Sequence, residues 1–385
     1  MPFARSWESL FDVGGELELG LKMGETGHSH IDRQRSDNPT VCVADPLSCH
    51  HFALQQATQG KSYKSWRQSM ADTHLPLTRP EGAPPQDFHL SRRGLTAGLF
   101  FAGYALSTGP VNAQAITTSA DGLIAKDLTI PPLQPEGDYQ IPAYIAVPKK
   151  PDAYPVVIVV SEVFGLHDYI RDICRRFAHQ GYCAIAIDFF ARKGNAAAAL
   201  EFEAVKALVE AAHYPQVMAD IQAQINWLKS EPDIGQKHTL FGSKRFADMS
   251  RVGITGFCWG GSPVWMAAAT MPEIKAGVAW YGRLEKPANT EFMGDEDRPW
   301  PMDIAASLSK PVLGLYADGD KGIPVASTQR MNDALAASHK TPSHIVLMEG
   351  TQHAFFADYR ASYNKAAAEK AWASCLDWFD EYLPE

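Results

Sequence analysis

Residues Val252–Gly261 read VGITGFCWGG, and the fold turns on how this stretch is taken. Four residues of strand character run into Gly256, an aromatic, Cys258, Trp259 and the pair Gly260-Gly261. A strand that turns sharply into a helix pushes its corner side chain out above the sheet, and its neighbours must be nearly bare for the turn to close. The helix that follows aims its N-terminus at the same point, where a thiolate or an oxyanion is favoured. Cys258 therefore stands where a nucleophile would stand. The competing reading is a Gly-rich turn with an incidental cysteine, and only the rest of the chain can decide between them.

Working outward, the chain from Ile116 alternates strand-like and helix-like segments. QIPAYIAVP (140–148) is β-rich, and YPVVIVVSEV (154–163) is a nearly continuous apolar run, as expected of a strand covered on both faces. In HDYIRDICRRFAHQG (167–181), Ile170, Ile173, Cys174 and Phe177 form one helical stripe, and Gly181 is a stop signal. YCAIAIDFF (182–190) reads as a buried strand, residues 197–211 and 215–230 as helices, and RVGITGF (251–257) as the strand leading to the corner. A helix is expected from Trp259, then strands in AGVAWYG (276–282), KPVLGLYAD (310–318) and SHIVLMEG (343–350), with a helix over Val325–Ala337. A last helix in AAAEKAWASCLDWFDEYL (366–383) carries a stripe of Trp372, Cys375, Leu376 and Phe379. This alternation predicts an α/β fold, a mostly parallel sheet with helices on both faces. Cys174, Cys183 and Cys375 fall on inward-facing positions and read as core residues. Cys258 fits neither periodicity.

Two late loops carry groups that would complete a nucleophilic site. YADGDKGIP (316–324) ends a strand in an acidic, Gly-rich loop, and EGTQHAFF (349–356) ends the next with His353. Both lie at carboxyl ends of strands, where open α/β sheets bind ligands. His353 would act as base, and an aspartate would hold its ring in the working tautomer. Asp318 and Asp320 compete for that role, and spacing does not choose.

SEVFGLHDYIRDICRRFAHQGY (161–182), IDFFAR (187–192), GFCWGG (256–261), DGDKGIP (318–324) and HAFFADYR (353–360) together resemble the dienelactone hydrolase family of α/β-hydrolases. The resemblance runs from about Tyr139 to the C-terminus. It implies that Cys258 is the nucleophile, Asp320 the acid, His353 the base, and Glu162 a carboxylate that primes the thiol. It further implies an oxyanion hole made by the backbone N–H groups of Trp259 and Val163. On its own, Glu162 closes a buried apolar strand and needs a partner or a purpose; a salt bridge to Arg171 or Arg192 is the structural alternative to catalysis. The founding enzymes hold a carboxylate-bearing lactone with arginines, one close behind the catalytic histidine. Here Ala357 stands four residues after His353, so Arg360, Arg192 and Arg283 are the substrate-binding candidates, with Tyr281 and Trp280 as pocket-lining residues.

The expectation is thus an ester or lactone hydrolase working through an acyl-enzyme, with no metal or organic cofactor, acting on a small molecule as a monomer. A general carboxylesterase on the same fold, or a thiol redox or binding protein, are the rivals. The 385 residues carry a net charge of −9, which argues against a nucleic-acid binder, and no apolar run is long enough to anchor the chain in a bilayer. Six cysteines are too sparse for a disulfide scaffold.

The domain is expected over 116–385, behind an export signal. Arg92 and Arg93 precede an apolar run, Leu95–Leu106, which ends near Ala113-Gln114-Ala115, a small-x-small cleavage pattern. The paired arginines resemble a twin-arginine signal over 70–115, which would place the protein in the periplasm. Residues 1–69 read as an extension, disordered or lying ahead of a true start at Met70. Their set His28, His30, Cys42, Cys49, His50 and His51 matches no standard metal-ligand spacing and reads as chance composition.

Overall fold

A computed structural model describes residues 116–199, 201–230, 232–235, 246–288, 292–294 and 296–384. The extension over 1–69, Met70, the paired arginines with their cleavage pattern, and the His/Cys set all lie outside the described residues.

Among the described residues, eight strands form one sheet in the order β1-β2-β4-β3-β5-β6-β7-β8. They are β1 (Leu123–Ile130), β2 (Ile141–Pro148), β3 (Tyr154–Val160), β4 (Cys183–Ile187), β5 (Ala247–Phe257), β6 (Ile274–Trp280), β7 (Val312–Ala317) and β8 (His344–Met348). β2 is antiparallel to both β1 and β4, and every other pairing is parallel. The helices are α1 (Asp168–His179), α2 (Phe202–Ala211), α3 (Tyr214–Lys229), α4 (Gly261–Thr270), α5 (Pro301–Ile304), α6 (Val325–Ser338) and α7 (Lys365–Tyr382).

Every residue of β3 and β4 is buried, which is why both read as unbroken apolar runs. β1 was not expected from the sequence. It is an edge strand whose Lys126 and Asp127 face solvent, so the apolar pattern that betrays the inner strands is missing. The stripe Ile170, Ile173, Cys174 and Phe177 seats α1 on the sheet. Asp168 in its first turn and Arg176 and His179 in its last complement the helix dipole. The Asn364 side chain caps α7 by accepting the Ala367 N–H at 3.1 Å. Cys174, Cys183 and Cys375 are buried free thiols, and burial pushes the Cys174, Cys183 and Cys375 pKa values up, keeping them protonated.

The parallel run β3-β5-β6-β7-β8 has one consequence for chemistry. Its carboxyl ends share one edge of the sheet, so Glu162, Cys258, Tyr281, Asp320 and His353, each just past a different strand, are delivered to the same side.

Candidate active site

β5 runs into a single 3-10 turn, Cys258–Gly260, and then into α4. Cys258 has φ +56°, a left-handed conformation that costs a non-glycine residue on the order of 1 kcal/mol and puts the side chain out of the path of both flanking elements. The turn closes because its neighbours lack side chains. A Cβ on Gly256 would lie 2.3 Å from the Gly260 carbonyl oxygen, and one on Gly260 would lie 2.4 Å from the Ser161 carbonyl oxygen. The corner is thereby pressed against the segment leaving β3, with Val160 paired to Gly256 in the sheet. Glu162 and Val163 follow in that segment, both buried, and Trp259 follows Cys258, packed on Phe189 and Phe190. On the other flank, a Cβ on Gly282 would meet Gly261 backbone at 2.4 Å, and the Ser262 hydroxyl donates to the Arg283 carbonyl. The segment after β6 is thus tied to the start of α4.

Asp320 and His353 meet. The Asp320 Oδ2 lies 2.6 Å from His353 Nδ1, while its Oδ1 accepts the N–H groups of Gly322 and Ile323 at 2.8 and 3.1 Å. Asp318 is exposed, and its carboxylate accepts the N–H groups of Gly350 and Thr351 instead. His353 also interacts with the Cys258 side chain. Burial disfavours a charged His353, but the Asp320 carboxylate and the Cys258 sulfur outweigh it and push its pKa up to about 9. The Tyr281 ring, itself at φ +38°, stands edge-on to the His353 ring at 5.1 Å. Its hydroxyl is buried and makes no hydrogen bond among the described residues. Burial, with the Glu162 carboxylate and Cys258 nearby, raises that hydroxyl's pKa far above its ordinary value.

Glu162 is fully buried. Its partners correct the expectation of Arg171 or Arg192. Arg171 pairs with Asp127 and donates to the Leu166 carbonyl, and Arg192 pairs with Glu136 and Asp220. The arginine facing Glu162 is Arg360, whose guanidinium lies 3.9 Å from Oε2 and rests over the Phe164 ring. Oε1 takes His167 Nε2 at 3.0 Å and the Tyr359 hydroxyl, which in turn accepts the Arg360 Nε–H at 3.2 Å. Burial would push the Glu162 pKa up; the Arg360 charge and the His167 hydrogen bond overcome this and hold it below its ordinary value. His167 and Tyr359 are the members the sequence reading missed. Both sit inside stretches quoted for the resemblance, but nothing in their spacing marks them as partners of Glu162.

Arg192 is taken up elsewhere. Its guanidinium donates to both Glu136 oxygens and both Asp220 oxygens at 2.7–3.0 Å and lies over the Tyr139 ring. Arg283 follows the Tyr281-Gly282 corner and is half-buried.

Comparison with known proteins gives the family. The sequence model of the "Dienelactone hydrolase family" matches residues 141–383. A protein of Methylorubrum extorquens AM1 named "Putative carboxymethylenebutenolidase" is 42% identical over 298 residues, 76% of this chain and 94% of that one. A protein of the same name from Escherichia coli K12 is 39% identical over 285 residues, covering 73% and 96%. Among solved structures, a "Putative Dienelactone Hydrolase" from Klebsiella pneumoniae superposes with a TM-score of 0.58 at 39% identity, over 68% of this chain and all of that one. With an α/β sheet whose strand ends gather a cysteine corner, an Asp–His pair and a buried glutamate, the chain belongs to the dienelactone hydrolase family of α/β-hydrolases.

Proposed function

We propose that this protein hydrolyses a small ester or lactone through a thioester formed on Cys258, with Asp320 and His353 completing the triad. The observation that carries the reading is a cysteine at φ +56° beside a histidine whose far nitrogen is held 2.6 Å from a buried carboxylate.

Chemically, Glu162 takes the proton of the Cys258 thiol when substrate arrives. The sulfur attacks the carbonyl carbon; a C–S bond forms and the π pair moves onto oxygen. The N–H groups of Trp259 and Val163, on the two segments that Gly260 presses together, are assigned to that oxyanion. Collapse expels the alkoxide, which His353 protonates; with a pKa near 9 it carries that proton at neutral pH. Neutral His353 then takes a proton from water as the water attacks the thioester. Deacylation frees the Cys258 sulfur as a thiolate, Glu162 returns its proton to it, and the acid product gives up its own proton to water, so the site ends each turnover as it began.

Arg360 and Tyr281 are the substrate-facing candidates the geometry favours, since both lie by Glu162. Arg192 is assigned to structure by its two carboxylates. The dienelactone substrate class is supported by the relatives' names and by Arg360 at the site. Export through the signal over 70–115, with cleavage after Ala115, remains part of the proposal on sequence grounds.

The test is hydrolysis of an activated aryl ester and a dienelactone by the wild type and Cys258→Ala. Lactone hydrolysis lost in the variant supports the whole reading. Ester hydrolysis alone, also lost, keeps the mechanism and moves the substrate. Activity retained in the variant refutes the nucleophile.

A further inference from the structure

The stretch ahead of β1 meets the loop that supplies two of Glu162's partners. The Ile116 N–H donates to Asp358 Oδ1 at 3.3 Å. Thr118 follows with its N–H and its hydroxyl on Asp172, at 2.6 and 3.2 Å, and its carbonyl accepts the Arg175 Nε–H at 2.8 Å. Residues 116–118 are thus strapped across α1. Asp358 directly precedes Tyr359 and Arg360, which both reach Glu162.

Asp358 is short of positive charge. Its side chain is 1% exposed, and Arg176, which gives Nη2 to Oδ2 at 2.5 Å, also gives Nε to Asp172 at 2.7 Å. Burial pushes the Asp358 pKa up, Arg176 pulls it back, and the Asp172 carboxylate adds to the rise. A buried carboxylate so placed is stabilised by a further cation, and a neutral N–H at 3.3 Å, long for its kind, brings no charge. Yet the nitrogen it faces is the one that a cut after Ala115 would free. Ala113-Gln114-Ala115 is the small-x-small pattern, and Ile116 comes next. Hydrolysis there, by a signal peptidase, breaks the C–N bond between Ala115 and Ile116. The water oxygen bonds to the Ala115 carbonyl carbon and both water protons end on the nitrogen, leaving a carboxylate and an α-ammonium. That group carries a full charge and three N–H donors.

We propose that Asp358 is the binding site for the α-ammonium group of Ile116 in the processed protein, and that this ion pair steadies the segment bringing Tyr359 and Arg360 to Glu162. The other charged and titratable groups facing the pair are Tyr169, Asp172, Arg175 and Arg176 on α1, and Tyr363 beyond Arg360. Asp358 is a positioning residue: it touches no reacting atom and acts through its two neighbours in the chain. Removal of the leader thereby raises activity. This rests on the proposed export signal with cleavage after Ala115, and leaves the triad as it stands.

The test expresses the full chain in a bacterium with twin-arginine export and maps the N-terminus of the exported protein by mass spectrometry. Ile116 is expected there; any other N-terminus overturns the cleavage reading and the ion pair with it. The α-amine is then labelled with acetic anhydride at pH 7, beside an Ile-Thr-Thr peptide. In the protein it should react at least about tenfold more slowly, because the carboxylate holds the nitrogen protonated, and Asp358→Asn should restore most of the rate. This comparison with the peptide needs no variant to fold. Kinetics on an aryl ester completes a cycle, with Arg92→Lys and Arg93→Lys together giving the unprocessed chain. Processing is expected to raise kcat about threefold or more in the wild type and to leave it unchanged in Asp358→Asn. An α-amine at Ile116 that reacts as fast as the peptide's, or a kcat gap that is missing or survives Asp358→Asn, overturns the ion pair while the cleavage stands.

Discussion

Asp320 reaches His353 at 2.6 Å with one carboxylate oxygen and ties down the Gly322 and Ile323 N–H groups with the other. The aspartate is thus fixed by its own loop before it fixes the histidine. Two residues upstream, Asp318 faces solvent and serves the β8 loop. Asp320→Asn is expected to lower kcat by about 10²- to 10⁴-fold with little change in KM, whereas Asp318→Asn stays within about threefold of wild type. Steady-state kinetics on one ester distinguishes them.

His353 carries a pH signature. Its folded-state pKa of about 9 exceeds the ordinary 6.5, so its bound proton favours the native state fully below about pH 6.5, and that contribution disappears as pH rises through 9. The Tm of the wild type should therefore fall toward that of His353→Gln between pH 7 and pH 10. Thermal melts of both proteins across that range would show the gap closing, and a gap that widens would count against the assignment.

The Arg192 cluster gives a structural prediction. Asp220 is buried, and removing it leaves the guanidinium half-compensated beside Glu136. Asp220→Ala is expected to cost about 3–5 kcal/mol, read by denaturant unfolding. Activity per folded molecule should stay within about threefold of wild type. A collapse of kcat/KM at unchanged stability would instead return Arg192 to the substrate.

Gly260 joins the cysteine corner to the segment after β3. In Gly260→Ala the new Cβ would stand 2.4 Å and 2.6 Å from two backbone carbonyl oxygens, so the two segments must part. We expect stability to drop by about 2 kcal/mol or more and kcat to fall by at least tenfold, since the N–H groups assigned to the oxyanion move with those segments. Unfolding and kinetics on the same preparation check both effects.

How much of this could be read beforehand follows from the kind of signal each element carries. β3 and β4 are buried on both faces, and their unbroken apolar runs named them. β1 is half-exposed at an edge, and its Lys126 and Asp127 hid it. The corner at Cys258 was legible because a tight turn requires glycines at fixed offsets, and the strands around it supplied the context. The choice between Asp318 and Asp320 rested on resemblance, because two aspartates separated by one glycine are indistinguishable until the loop's direction is known. The partners of Glu162 were not legible. Arg360 and Tyr359 are nearly two hundred positions away in the chain and approach it only once β8 has been laid alongside β7. His167 is near in sequence, yet its role depends on which way the turn after β3 points its ring.

In the proposed reaction Cys258 carries the acyl group. The most direct measurement is intact-mass spectrometry of the protein acid-quenched during turnover of a slow aryl ester, followed by peptide mapping. One added acyl mass is expected, located on Cys258, forming and decaying at rates consistent with kcat, and prolonged in lifetime by His353→Gln. An acyl group on another residue, or turnover at the wild-type rate by Cys258→Ala with no adduct formed, would contradict it.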